Sequence, residues 1–122
     1  MAANLVAAAI LNGLTFLIHA IGLIALTRLM TFLAAFAGLE ERPWTKLAGI
    51  FVLAFGLFLL LCVEIGLWAW GYVGLGAFTN FETAFYFSTS SFATIGFGDI
   101  APAAKWRLLA SMEGVTGFLV IG

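Results

Sequence analysis

The sequence predicts an all-α membrane protein: three transmembrane helices, a re-entrant helix too short to span, and an irregular loop carrying two glycines. Three observations predict it. Hydrophobic residues make up 64% of the 122 and charged residues only 9%, against roughly a quarter charged in soluble domains. Arg28, Arg42, Lys46, Glu64, Lys105, Arg107 and the few other ionisable side chains leave apolar tracts of transmembrane length between them. A short segment with a helix-start signal then runs directly into "TIGFGD", Thr94 to Asp99.

The first tract, Leu5 to Thr27, has 23 residues, about 34 Å as a helix, which spans a hydrocarbon core of roughly 30 Å. It has no basic n-region and exceeds the usual signal-peptide core, so it is expected to be retained as a helix. Arg28 marks its boundary. The sequence leaves open whether Leu29 to Leu39 continues it or lies along the interface, and Glu41 to Trp44 supply a turn with a proline. The second tract, Leu47 to Trp70, is about 36 Å as a helix, with Trp68, Trp70 and Tyr72 as an interfacial belt. "GYVGLGAFTN" follows as a loop. Thr79 and Glu82 stand at capping-box spacing, and Asn80 to Phe92, about 20 Å, is too short to span. Pro102 opens a last helix, from about Ala103 to Gly122, that is still apolar where the chain stops, so the natural protein is expected to continue.

Three of the five basic residues, Arg28, Arg42 and Lys46, flank one loop. The positive-inside rule places that loop in the cytoplasm and the N-terminus outside, although Lys105 and Arg107 then fall on the outer face. A net charge of −1 points to no nucleic-acid partner. The single cysteine, Cys62, lies within an apolar tract, forms no intrachain disulfide and fits no metal spacing.

Three chemistries compete for "TIGFGD". "GFGDIA" fits the Gly-x-Gly-x-x-Ala dinucleotide fingerprint, but no βαβ pattern surrounds it and Pro102 falls in the required helix start. Gly-x-Gly-Asp is also similar to the signature of intramembrane aspartyl proteases, which need two carboxylates sharing a proton. Asp99 is the only aspartate, and the substitutes considered, Glu64 and Glu113, lie outside that family's second motif. The third chemistry is a row of backbone carbonyls turned toward an axis. It requires alternate residues in left-handed torsions, which glycine adopts cheaply, hence Gly96 and Gly98. Ile95 and Phe97 then brace the loop, and the C-terminal end of the short helix favours a cation in front of it.

"STSSFATIGFGD" resembles the selectivity filter of potassium channels, Thr-x-Gly-Tyr/Phe-Gly with a following Asp common, and the resemblance extends over roughly Gly71 to Gly122. It implies the homotetrameric potassium-channel pore architecture: residues 47–122 as a pore domain, with outer helix 47–70, pore helix 80–92, filter 94–98 and inner helix 103–122. Residues 1–46 are then an extra N-terminal transmembrane helix and cytoplasmic loop, as in small bacterial ion-channel proteins with one additional span. The implied function is passive K+ conduction in the plasma membrane, with no cofactor and no enzymatic activity. K+ would be held by the carbonyls of Thr94, Ile95, Gly96 and Phe97 and by the Thr94 hydroxyl, with Gly98 completing the outer mouth. The resemblance pairs Tyr86 with Asp99 as filter support, and Ser90 stands where some bacterial members carry a glutamate. Partners are three further copies and the lipid bilayer. A weakly selective cation channel, an intramembrane protease and a non-conducting regulatory subunit are the alternatives.

Polar residues inside spans are functional candidates by default. Counting from the outer ends of the tracts puts Glu64 roughly 9 Å deep, Asn12 12 Å, Glu113 15 Å and His19 21 Å. That spacing pairs Glu64 with Asn12 rather than with His19. Glu113 and Thr116 share a helix face that either rings a cavity below the filter or packs behind the short helix against Ser88 or Ser91. Gly114, Gly117 and Gly122 serve either as a gating bend or as close-packing sites. The first helix is expected outside the tetramer on the second, through Ala7, Ala8, Ala9, Gly13 and Gly22.

Overall fold

The computed structural model of the chain describes residues 1–37 and 42–122. Among the described residues every regular element is a helix: α1 (Ala2–Ala37), α2 (Pro43–Gly74), the short α3 (Phe81–Phe92), and α4 (Arg107–Ile121) entered through a 3-10 turn at Ala104–Trp106. α1 and α2, of 36 and 32 residues, are about 54 and 48 Å long. Both are long and apolar enough to cross a membrane. α3 has 12 residues and α4 has 15, about 18 and 22 Å, so α3 falls well short of a hydrocarbon core and α4 somewhat short.

Several element bounds differ from the sequence reading, each for a local reason. Arg28 does not end α1, which continues at least to Ala37; the tract's end at Leu39 and the turn at Glu41 lie outside the described residues. α2 starts at Pro43, ahead of the expected Leu47, because the first turn needs no amide hydrogen at that position. At its other end α2 takes in four residues of the expected loop, then closes on Gly76 at φ 74°. There Ala77 N–H donates to Tyr72 O (2.8 Å) and Gly76 N–H to Val73 O (3.1 Å), a pairing that needs a left-handed residue and so a glycine. α3 is capped by Asn80, not Thr79: Asn80 Oδ1 accepts from Thr83 N–H at 2.8 Å. Asn80→Ala is expected to lower the stability of the detergent-solubilised protein by about 1 kcal/mol. An unchanged thermal midpoint would remove the cap from the account.

α1 packs against both α2 and α4. Its buried positions, Asn4, Ala8, Leu11 and Thr15, recur at helical spacing and form one stripe. Leucines sit over glycines on both sides: Leu60 over Gly22, Leu26 over Gly56, Leu11 over Gly71. Ala8 and Gly22 thus do the close packing expected of them, whereas Ala9 is exposed and Gly13 meets nothing within 4 Å. Polar bonds fix the register. Trp68 Nε1–H donates to Thr15 Oγ1 (3.0 Å), which donates to Leu11 O (2.8 Å). Asn12 Oδ1 is in hydrogen-bond contact with Thr116 Oγ1 on α4, and Asn4 Nδ2 donates to Lys105 O.

This register overturns the pairing by depth. His19 Nδ1 lies 2.8 Å from Glu64 Oε1, while Asn12 bonds Thr116. Depths counted from each tract's outer end compare only if the two tracts begin at one level. In the antiparallel pair Leu11 is level with Gly71 and Thr15 with Trp68, so Leu5 stands several residues beyond Trp70 and every depth counted from it is too large. The expected belt is also corrected: Trp68 and Tyr72 are fully buried, their polar tips bonded inside, and only Trp70 is exposed. With Phe92 and Leu109 they form the largest fully buried apolar side chains. By contrast, Phe51, Phe55 and Phe58 line an exposed face of α2, stacked in sequence.

Candidate functional site

The chain leaves α3 at Ala93 and immediately reverses hand. Thr94, Gly96 and Gly98 have φ of 57°, 62° and 76°. These are three alternate positions, with Ile95 and Phe97 between them in ordinary torsions. The two glycines adopt that region at little cost. A β-branched threonine there is an outlier, costing roughly 1–2 kcal/mol, and nothing in the residue type foretold it.

Four successive amides are drawn back toward the end of α3. Thr94 N–H donates to Ser91 O (3.0 Å), Ile95 and Gly96 N–H to Ser90 O (2.9 and 3.1 Å), and Phe97 N–H to Ser90 Oγ (3.1 Å). Ser90 therefore anchors the loop with both its carbonyl and its hydroxyl. The carbonyl oxygens of Thr94, Ile95, Gly96 and Phe97 accept no hydrogen bond among the described residues, and residues 94–99 are exposed. A row of carbonyl oxygens without protein donors is suited to replacing the hydration shell of a cation.

Beyond the loop, Tyr86 Oη donates to Asp99 Oδ2 at 2.8 Å, so the two residues paired on resemblance do meet. That hydrogen bond to a carboxylate raises the Tyr86 pKa above the ordinary phenol value. Phe97 stacks on the same ring, centroids 6.3 Å apart and planes 15° from parallel. Glu82, read from the sequence only as a helix-start residue, lines an open cleft with Thr83, Tyr86, Asp99 and Ile100. It is an acid closer to Asp99 than the sequence reading supposed. Both acids are exposed and Asp99 is engaged by Tyr86 and by Ile100 N–H, unlike a buried pair sharing one proton.

Behind α3 lies a second polar cluster. Glu113 is completely buried: Tyr72 Oη donates to its Oε2 (2.7 Å) and its Oε1 is in hydrogen-bond contact with Ser88 Oγ. Thr116, 2% exposed, bonds Met112 O and Asn12. This is the packing arrangement of the two that the sequence left open, and a cavity ring of Glu113 and Thr116 is excluded by their burial within one chain. Ser91 Oγ donates to Ala110 O at 3.1 Å. Gly117 presses against the Phe92 carbonyl, while Gly114 is in ordinary contact with Ser91 O (3.7 Å). Gly117 is thus a close-packing site. Ser88 is the partner that the packing alternative names, whereas Tyr72 carries no such signal in the sequence, because a residue 41 positions away is brought to Glu113 only by the packing of α2, α3 and α4.

Glu64 is likewise fully buried, with Oε1 on His19 and Oε2 without a partner. Among the described residues no cluster of three or more His, Cys, Asp or Glu could hold a metal ion.

A family model described as "Ion channel" matches residues 47–122, which take in α2, α3, the Thr94–Asp99 loop and α4. No curated protein and no solved structure matches the chain. The match covers well over half of the chain and contains every feature of the loop and its support, so this membrane protein belongs to the ion channel family.

Proposed function

We propose that the chain forms a homotetrameric, potassium-selective channel in the plasma membrane. Four copies of the Thr94–Gly98 loop surround one axis, and K+ exchanges its hydration water for the carbonyl oxygens of Thr94, Ile95, Gly96 and Phe97 and the Thr94 hydroxyl. α3 serves as the pore helix, and α1, α2 and α4 as three spans with the N-terminus outside. The observation that carries this reading is the alternation of positive φ at Thr94, Gly96 and Gly98 with the amides of Thr94 to Phe97 turned onto α3. Together these leave a run of carbonyl oxygens that accept no hydrogen bond among the described residues, on an exposed loop. Membership of the channel family supports conduction over catalysis.

A weakly selective cation channel is the second reading. It is favoured by the loop's thin bracing: Phe97 has no hydroxyl to tie to α3, and the residue is 64% exposed although its ring stacks on Tyr86. Ser90 is then decisive. Ser90→Ala removes the acceptor for Phe97 N–H, a loss of about 1 kcal/mol per loop, and is expected to reduce K+ preference over Na+ while Ser90→Thr retains it. Equal selectivity in Ser90→Ala and the native protein would show that the hydroxyl does not brace the filter.

Proteoliposomes test the proposal itself. A K+ gradient is expected to drive a flux that barium blocks. Absence of any such flux, together with peptide cleavage abolished by Asp99→Asn, would instead establish the protease.

A further inference from the structure

Ser88 has one hydroxyl hydrogen and two oxygen neighbours. Its Oγ lies 3.1 Å from Ile65 O, a backbone carbonyl that has no hydrogen to give. That bond uses the Ser88 hydrogen. The close contact between Ser88 Oγ and Glu113 Oε1 is then left without a hydrogen unless Glu113 supplies one. On the other oxygen, Tyr72 Oη reaches Glu113 Oε2 at 2.7 Å with its own hydrogen. A carboxylic acid protonated on Oε1 satisfies all three contacts with one hydrogen each. A carboxylate leaves one of them as two facing lone pairs.

The surroundings favour the same assignment. Glu113, Tyr72 and Ser88 are all completely buried. Among the described residues the one ion pair is His19 with Glu64, so no cation lies against Glu113. Tyr72 is the one titratable group bonded to it; α3 offers Ser88 and Ser91, the latter with its hydrogen given to Ala110 O, and α1 meets α4 one turn away through Asn12 and Thr116. An unpaired buried charge is far costlier than a hydrogen-bonded neutral acid.

We propose that Glu113 is held as a neutral carboxylic acid and, in that form, is a positioning residue for the filter. Its bonds join α2 through Tyr72 and α3 through Ser88 to α4. Ser88 lies two residues before Ser90, whose carbonyl and hydroxyl hold the loop amides. The proton on Glu113 fixes the height of α3 between its neighbours, and with it the height of the loop. This inference rests on the loop being the K+ filter.

Infrared spectroscopy of the purified protein in lipid, paired with reversal potentials, tests it. The native spectrum is expected to contain a protonated carboxylic acid band that disappears in Glu113→Gln and persists in Glu64→Gln, the control for the other buried acid. Glutamine offers a donor to Ser88 and an acceptor to Tyr72, so Glu113→Gln is expected to keep the native K+/Na+ permeability ratio. Glu113→Ala strands both partners and is expected to lower the ratio roughly tenfold. If Glu113→Ala does not assemble, the infrared band and Glu113→Gln decide. A band unchanged in Glu113→Gln, or selectivity lost in Glu113→Gln, overturns the proposal. Native protein that does not discriminate K+ from Na+ overturns the filter reading instead, whatever the band does.

Discussion

Gly117→Ala is expected to prevent α3 and α4 from closing, and so to abolish the assembled protein. A Cβ at Gly117 would overlap the Phe92 carbonyl oxygen and lie 2.6 Å from its carbon and 2.9 Å from its Cα. All three obstacles are backbone at the end of α3, which cannot swing aside as a side chain does. Overpacking in a well-packed interior costs about 1–3 kcal/mol, occasionally more, and here relief requires shifting the helix that holds the loop. Size-exclusion chromatography in mild detergent measures the outcome: aggregate or monomer in place of the proposed tetramer. Gly114→Ala is the internal comparison, because its Cβ would meet Ser91 O at an ordinary 3.7 Å, and it is expected to assemble. Native assembly of Gly117→Ala would show that α4 bends at this glycine rather than packing through it.

The second large effect belongs to Gly96. Within its own chain a side chain there has room, since nothing lies within 4 Å, yet φ is 62°. Gly96→Ala therefore isolates torsion from packing. Holding an L-residue in this region costs roughly 1–2 kcal/mol, incurred four times in the proposed tetramer. Thr94 two residues earlier already carries one such penalty in each loop. The protein is expected to fold and assemble normally, because α1 to α4 are untouched, and to lose K+ flux in liposomes. Full conduction by Gly96→Ala would mean that the loop's torsions in the working channel are not those described.

The loop was legible because its constraint is local. Alternating glycines state a torsion requirement in the sequence itself, and the brevity of the segment before them follows from counting residues. Thr94 was half-legible: its hydroxyl was noted, but threonine type gives no sign of a positive φ. Asn80 and Thr79 are both competent caps, and only the backbone at residue 80, extended at φ −133° and ψ 154°, separates them. The His19–Glu64 contact was misread because hydropathy gives the length of each tract and not the vertical offset between two tracts. That offset is set by side-chain fits such as Leu11 over Gly71 and Trp68 on Thr15. Tyr72 was assigned to the interface by its position near a helix end, although its hydroxyl has a buried acid to bond. For His19, Glu64 and Tyr72 the missing information is tertiary; for Asn80 and Thr94 it is a local torsion.

The most direct measurement of the central claim is the reversal potential of the reconstituted native protein with K+ on one side of the bilayer and Na+ on the other. A row of carbonyl oxygens braced by Ser90 and by the Tyr86–Asp99 bond is expected to place the reversal potential close to the K+ equilibrium value. A reversal near zero at equal concentrations of the two ions, with current flowing, would contradict it.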